Sequence, residues 1–220
     1  MMMSPAGSDA VEGRLTALEE QRLIAAARDG DRAAALRLIQ AHQDRLFAFV
    51  WRMIRNRHDA EDICQEAFSK AFAALDTFDI RYRFSTWLFT IAYRLCLNSL
   101  RKRRDYSGEV DFSRLSRAAG ATEGTDGEDA AETVANSEEA RMMRDSIWQA
   151  VDRLSPPQRA ATLLFYRESL NCREIGDVLE MPASTVKSHL HRARSRLKEI
   201  LSARLAERWA DVKFAAAGEA

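Results

Sequence analysis

Residues 171–198 read NCREIGDVLEMPASTVKSHLHRARSRLK, and two short helical patterns meet inside them. Ile175, Val178 and Leu179 give the first pattern an apolar face. Met181 and Pro182 end it, because proline lacks the N–H and clashes with the preceding turn. Ser184 then offers a side-chain oxygen as the N-cap of a new helix. In that helix Val186, Leu190, Ala193 and Leu197 recur at spacings of four, three and four, so they share one side. Lys187, Ser188, His191, Arg192 and Arg196 occupy the other. The pattern predicts a helix-turn-helix whose second helix can enter a DNA major groove. A helical hairpin with a solvated basic face carries the same pattern.

Outward from this stretch, charge divides the chain. At 220 residues it is long enough for two small cores. Residues 1–104 hold 17 basic and 13 acidic side chains, residues 105–140 hold 2 and 10, and residues 141–220 hold 14 and 10. Two mildly basic blocks therefore flank an acidic connector. Neither neutralises enough phosphates to bind DNA tightly alone, so help from a partner is expected. Cys64, Cys96 and Cys172 are odd in number and far apart, which favours free thiols over disulfides or metal ligands. The start MMMSPAGSDAVEG lacks the basic and apolar regions of a signal peptide, and no apolar run reaches membrane-spanning length. A cytoplasmic protein without membrane insertion is expected.

The expected fold is all-α, with two small helical domains joined by a flexible acidic linker. The expected divisions are a disordered 1–14, a first domain at 15–104, a linker at 105–137, a second domain at 138–201 and a tail at 202–220. Helical periodicity begins at Leu15 and breaks at Asp29-Gly30-Asp31, where Gly30 stops one helix and Asp31 caps the next. Leu36, Ile39, Leu46, Val50 and Ile54 continue an apolar stripe. In residues 59–75, DAEDICQEAFSKAFAAL, the stripe is Ile63, Cys64, Ala67, Phe68, Ala71, Phe72 and Leu75. Asp59, Glu61 and Asp62 fall in the first turn, where carboxylates offset the helix dipole. Together with Gln65 and Glu66 they also form an acidic surface open to a basic partner; spacing favours capping.

Phe78 to Phe84, FDIRYRF, is a loop rich in aromatics and arginines. Ser85 can cap the following helix, TWLFTIAYRLCLNSLRKRR, whose buried face is Leu88, Ile91, Ala92, Leu95 and Cys96. Trp87, Thr90, Arg94, Asn98 and Arg101 share another face, and the run Arg101–Arg104 closes it in positive charge. Interleaved aromatics and cations suit single-stranded nucleic acid, where each stacked base contributes about 1–3 kcal/mol. The competing reading makes Phe84, Trp87 and Phe89 ordinary core and the basic run a solvated helix end.

Taken in order, ARDGD (27–31), DAEDICQE (59–66), STWLFTIA (85–92), SPPQR (155–159) and STVKSHLHRAR (184–194) resemble the extracytoplasmic-function (ECF) sigma factors of bacterial RNA polymerase. The resemblance covers about residues 18–104 and 141–200. It implies two helical domains, sigma2 and sigma4, that make core RNA polymerase recognise promoter DNA. By that resemblance Asp62, Gln65 and Glu66 face the polymerase. Phe78, Phe84, Ser85, Thr86, Trp87, Arg94, Asn98 and Arg101 hold the −10 element as single strand. Arg173, Ser184, Thr185, Lys187, Ser188, His191, Arg192 and Arg196 read the −35 element as duplex. An anti-sigma factor is the further partner the family implies, and the acidic linker would thread toward the RNA exit path.

Four positions depart from the family pattern. His189 replaces the usual Arg, giving a shorter contact that is mostly neutral at pH 7. Gly176 replaces the usual Ala, at a helix-propensity cost of up to about 1 kcal/mol. Arg94 and Asn98 stand where Asn and Asp are commoner. No catalytic constellation, metal site or cofactor is expected; His189 and His191 diverge on their helix. Opening about ten base-pair steps costs on the order of 14 kcal/mol, against about 1–3 for one stacked base, so the chain reads as a specificity subunit. Two other classes remain: a sigma-like decoy that sequesters an anti-sigma factor, and a nucleic-acid enzyme, which would need clustered carboxylates or a phosphate loop.

Overall fold

Asp31 shows how local sequence sets the architecture. Gly30 turns at φ +90°, a left-handed conformation open to glycine. The Asp31 carboxylate then accepts from the N–H groups of Ala33 (2.8 Å) and Ala34 (3.2 Å), starting a fresh helix. The computed structural model describes residues 15–106 and 138–217. Among them are eight α-helices and no strand: α1 (Ala17–Arg28), α2 (Arg32–Ile54), α3 (Arg57–Ala73), α4 (Phe84–Tyr106), α5 (Glu138–Asp152), α6 (Pro156–Tyr166), α7 (Cys172–Leu179) and α8 (Ala183–Ala217). A 3-10 turn, Leu75–Thr77, separates α3 from the loop before α4. The chain is all-α, as its periodicity predicts. The acidic connector from 107 to 137 and the segment 1–14 lie outside the described residues.

Capping explains most helix starts. Thr16 and Glu19 form a capping box on α1. Asn56 accepts from the Asp59 N–H (3.0 Å) to open α3. Asn171 accepts from Arg173 and Glu174 N–H (2.9 and 3.1 Å), while Glu174 accepts from the Asn171 N–H (2.8 Å). Two expected caps are not caps. Helix α4 begins at Phe84, so Ser85 sits inside its first turn and is buried. Helix α8 begins at Ala183, so Ser184 is helical, and the Pro182 carbonyl accepts from Thr185 and Val186 N–H (2.8 and 3.1 Å). Proline thus opens α8; α7 ends earlier, at Glu180, in the left-handed region. Helix α8 also runs to Ala217, through most of the expected tail at 202–220.

Helix α2 lies against α1, α3, α4 and α6, and α4 lies against α3 and α7. The buried stripe of α2 includes Ala34, Leu38, Leu46, Phe49, Val50 and Met53. Leu36, expected on that stripe, is instead 54% exposed. Phe84, Leu88, Phe89, Ala92, Tyr93 and Cys96 bury the inner side of α4. In the second unit Leu163, Leu164, Ile175, Val178, Val186 and Leu190 form one core with α6, α7 and α8. Each such side chain contributes about 1.5–3 kcal/mol when fully buried. The two cores are continuous across the α2–α6 and α4–α7 contacts.

Candidate nucleic-acid interface

Helix α8 owes its outward face to the way its inward face is anchored. Val186 and Leu190 are buried in the core shared with α6 and α7, and Ala193 is buried beside Val151 of α5 and Leu154. That rotation leaves Lys187, Ser188, His191, Arg192 and Arg196 exposed, with Ser184 beside them and Thr185 half-buried. Arg173 on α7 is also exposed. The structure therefore gathers the predicted duplex-reading set on one side of the second unit. Arg192 Nε donates to the Ser188 carbonyl (3.3 Å), and Arg196 pairs with Glu199 (3.2 Å). Arg194 also faces out and was not singled out by sequence. Its Nε donates to the Tyr166 hydroxyl (2.9 Å), and its guanidinium lies 5.7 Å from the Phe165 ring. Its place seven residues beyond Lys187, two helical turns on, was the available signal.

His189 is turned partly inward. Burial pushes its pKa down, and nearby Arg192 adds to the effect, so the neutral imidazole is favoured. Gly176 has a role that propensity does not reveal. A Cβ there would lie 2.7 Å from the Met181 carbonyl oxygen, in the turn that sets the direction of α8. Both Glu180 and Met181 N–H donate to the Gly176 carbonyl, which holds the turn tight against α7.

The predicted single-strand set is divided by burial. Phe78, Phe84, Ser85 and Thr86 are all buried, Phe84 completely. Phe78 packs edge-on to Phe84 at 5.9 Å and stacks on Trp87 at 4.8 Å. In this conformation the buried four have no face to offer a base; they form the floor beneath the loop. Trp87 is half-buried, while Arg94, Asn98 and Arg101 are exposed. The loop tip adds Ile80, Tyr82 and Arg83, also exposed. A cleft between α1, α2 and this tip is lined by Glu20, His42, Arg45, Tyr82 and Arg83.

Arg28, from the ARDGD stretch, ties the loop down: Nε donates to the Leu75 carbonyl (3.0 Å) and Nη2 to that of Phe78. Beneath the cleft, His42 lies 3.1 Å from Glu20. Burial raises the Glu20 carboxyl, but His42 and the Phe84 N–H outweigh it and hold it below its ordinary range. The basic run closing α4 is not wholly solvated. Arg103 donates to the Ile54 carbonyl (3.1 Å) and pairs with Asp59, joining the ends of α2 and α3.

On α3, Asp62, Gln65 and Glu66 are exposed together. Glu66 pairs with Lys70 at 3.3 Å and Asp62 lies 4.0 Å from His58. Cys64 and Cys96 are free thiols whose pKa burial pushes up, that of Cys64 to about 12. Among the described residues no cluster of His, Cys, Asp or Glu has metal-binding geometry, and no helix is long and apolar enough to cross a membrane.

Comparison with known proteins gives two family matches: Sigma-70 region 2 over residues 38–106 and Sigma-70 region 4 over residues 144–197. The chain is similar to the ECF RNA polymerase sigma factor SigW of Bacillus subtilis, at 33% identity over 82% of this chain and 96% of that protein. A structure of CnrH in complex with the cytosolic domain of CnrY shares the fold (TM-score 0.59, 22% identity, 84% of this chain and 98% of that one). The sigma factor RpoE of Bartonella quintana, solved with the anti-sigma factor NepR, matches with a TM-score of 0.52 at 25% identity over 71% of this chain and 89% of that one.

Proposed function

The chain belongs to the extracytoplasmic-function sigma factors of the sigma-70 family, and from that membership we propose that it directs core RNA polymerase to a specific set of promoters in the cytoplasm. Helix α8 reads the −35 element as duplex, with Lys187, Ser188, His191, Arg192 and Arg196 toward the groove and Arg173, Ser184 and Thr185 at its edge. The loop from Phe78 to Phe84 and helix α4 hold the −10 element as single strand. Tyr82 and Trp87 supply the accessible rings, and Arg94, Asn98 and Arg101 the polar contacts. Asp62, Gln65 and Glu66 on α3 meet the polymerase. Residues 15–104 and 138–201 act as separate modules on a tether at 105–137. The chain itself carries no chemistry; it biases an opening that polymerase sustains. An anti-sigma factor restrains it, a reading supported by the RpoE relative solved with one.

The observation that carries this reading is the rotational setting of α8. Its apolar side is anchored by Val186, Leu190 and Ala193, and its free side from Ser184 to Arg196 is basic or hydroxyl-bearing. The test combines the protein with sigma-free core polymerase on fragmented genomic DNA and maps RNA 5′ ends. Starts that share two spaced upstream elements are expected. Neutralising Lys187, Arg192 and Arg196 should abolish them while polymerase binding survives. Random starts from folded protein would overturn the promoter-reading role and point to an anti-sigma decoy.

A further inference from the structure

Helix α1 precedes the stretch matched to Sigma-70 region 2, which begins at residue 38, yet one side of it is turned to the loop assigned above to the single strand. Glu20, Ile24 and Arg28 recur at spacings of four, so they share that side. Ile24 is buried, and the polar residues around it reach the loop. Arg28 Nε donates to the Leu75 carbonyl (3.0 Å) and Nη2 to that of Phe78. Gln21 Nε2 donates to the Ile80 carbonyl (3.4 Å), and the Glu20 carboxylate accepts from the Phe84 N–H (3.4 Å). Among the described residues, these hydrogen bonds from α1 to the segment 75–84 all end on its main chain, at its entry, its middle and its exit. Glu20 is itself fixed from below: His42 of α2 lies 3.1 Å from its other carboxylate oxygen, and the His42 ring lies 5.3 Å from that of Phe84. The far side of the loop carries exposed side chains, with Ile80 46% and Tyr82 61% exposed.

We infer that α1 is a splint for the base-reading loop: Arg28, Gln21 and Glu20 are positioning residues that hold its main chain from behind and thereby set which bases are accepted in the −10 strand. The inference rests on the proposed single-strand role of the loop. A grip on main-chain groups fixes where the Cβ bonds of residues 79–83 point, whatever side chains those residues carry. Binding loops work in this way, presented by a rigid scaffold, and their contacts discriminate only while held to within about 0.5 Å. Within the loop, the Tyr82 N–H donates to the Asp79 carbonyl and the Arg81 N–H to the Asp79 carboxylate, both at 3.0 Å. Those bonds shape the tip. Its placement on the first unit is left to α1 and to the buried rings of Phe78 and Phe84.

The full chain is tested in two ways: hydrogen–deuterium exchange of residues 78–84, and transcription with sigma-free core polymerase from promoter libraries randomised at the −10 or the −35 element. R28K keeps the charge but gives up the planar fork that meets two carbonyls at once, and Q21A removes the donor to Ile80. R22K alters an exposed α1 cation outside these bonds and serves as the control. In R28K and Q21A the loop amides should exchange about tenfold faster. Discrimination among −10 bases, about tenfold or more where a base is read by direct contact, should fall by most of that factor. Discrimination at −35 should stay within about twofold, as for independent sites. E20A should behave as R28K does, and E20Q, which keeps an oxygen to accept from the Phe84 N–H, should stay near wild type. Unchanged exchange would show that α1 does not hold the loop, and faster exchange with −10 discrimination intact would show that the hold does not set base choice. Either result overturns the inference, as does an equal fall at both elements or in R22K. A wild-type chain that selects no −10 sequence, with its loop amides still dependent on Arg28, would instead refute the single-strand reading of the loop, and the inference with it.

Discussion

Replacing Gly176 with Ala separates two physical accounts of the turn between α7 and α8. On helix propensity alone the change should stabilise the protein by about 0.8–1.0 kcal/mol, because Gly is that much poorer than Ala inside a helix. The tertiary geometry predicts the opposite sign. The new Cβ would stand 2.7 Å from the Met181 carbonyl oxygen, 3.6 Å from the Ala183 nitrogen and 3.8 Å from the Ala183 Cα. Carbon–oxygen contacts settle at about 3.3 Å or beyond, so the turn must retreat by roughly 0.6 Å. The obstructing atom is backbone, and it is tied to α8 through Pro182, so no rotamer change relieves it. Overpacking of this kind costs about 1–3 kcal/mol. Set against the propensity gain, the net effect is a loss of about 1 kcal/mol. Urea unfolding followed by circular dichroism measures it. With an m value of about 2 kcal/mol/M the midpoint should fall by about 0.5 M. A midpoint at or above that of wild type would refute the close-approach argument and restore the propensity account.

Three other substitutions test separate parts of the structure. N171A removes the acceptor for Arg173 and Glu174 N–H; it should cost about 1 kcal/mol in urea unfolding, and N171D should restore most of it. R159L strips partners from the carbonyls of Arg52, Met53 and Leu154, so a loss of about 2–4 kcal/mol is expected, with the two units unfolding in separate transitions. His189 supplies a pH test. Its folded pKa lies below the unfolded value of about 6.5, so the unfolded chain binds more protons in that window and stability falls as pH drops through it. H189Q should flatten the slope of urea midpoint against pH between about 7 and 5.5 relative to wild type; an unchanged slope would exclude His189 as its source.

Elements whose cause is local were legible in the sequence. The stripe Val186–Leu190–Ala193 is buried as its spacing predicts, and its rotation alone places Lys187, His191 and Arg192 outward. Asp31 caps α2 for the same reason: an acceptor two or three residues before free N–H groups needs nothing distant to work. The caps read at Ser184 and Ser85 fail by a residue or so, because Pro182 and the anchoring of Phe84 start those helices earlier. The −10 set shows the limit more plainly. Phe84 and Tyr82 are two residues apart and both aromatic, yet Phe84 is fully buried and Tyr82 is 61% exposed.

Periodicity and near neighbours were enough to set the helical class, the helix-turn-helix and the sign of charge on its free face, because each depends on groups within a few residues of one another. Which aromatics form the floor and which remain accessible emerged only once the helices had packed. The same holds for the meeting of Arg45, Arg55, Arg83 and Arg94 with acids of the second unit, and for the carbonyl whose approach demands Gly176. An arginine carries no mark of its partner in its own neighbourhood, and a partner some 80 or more residues away is selected only when the cores of both units fix where their surfaces meet.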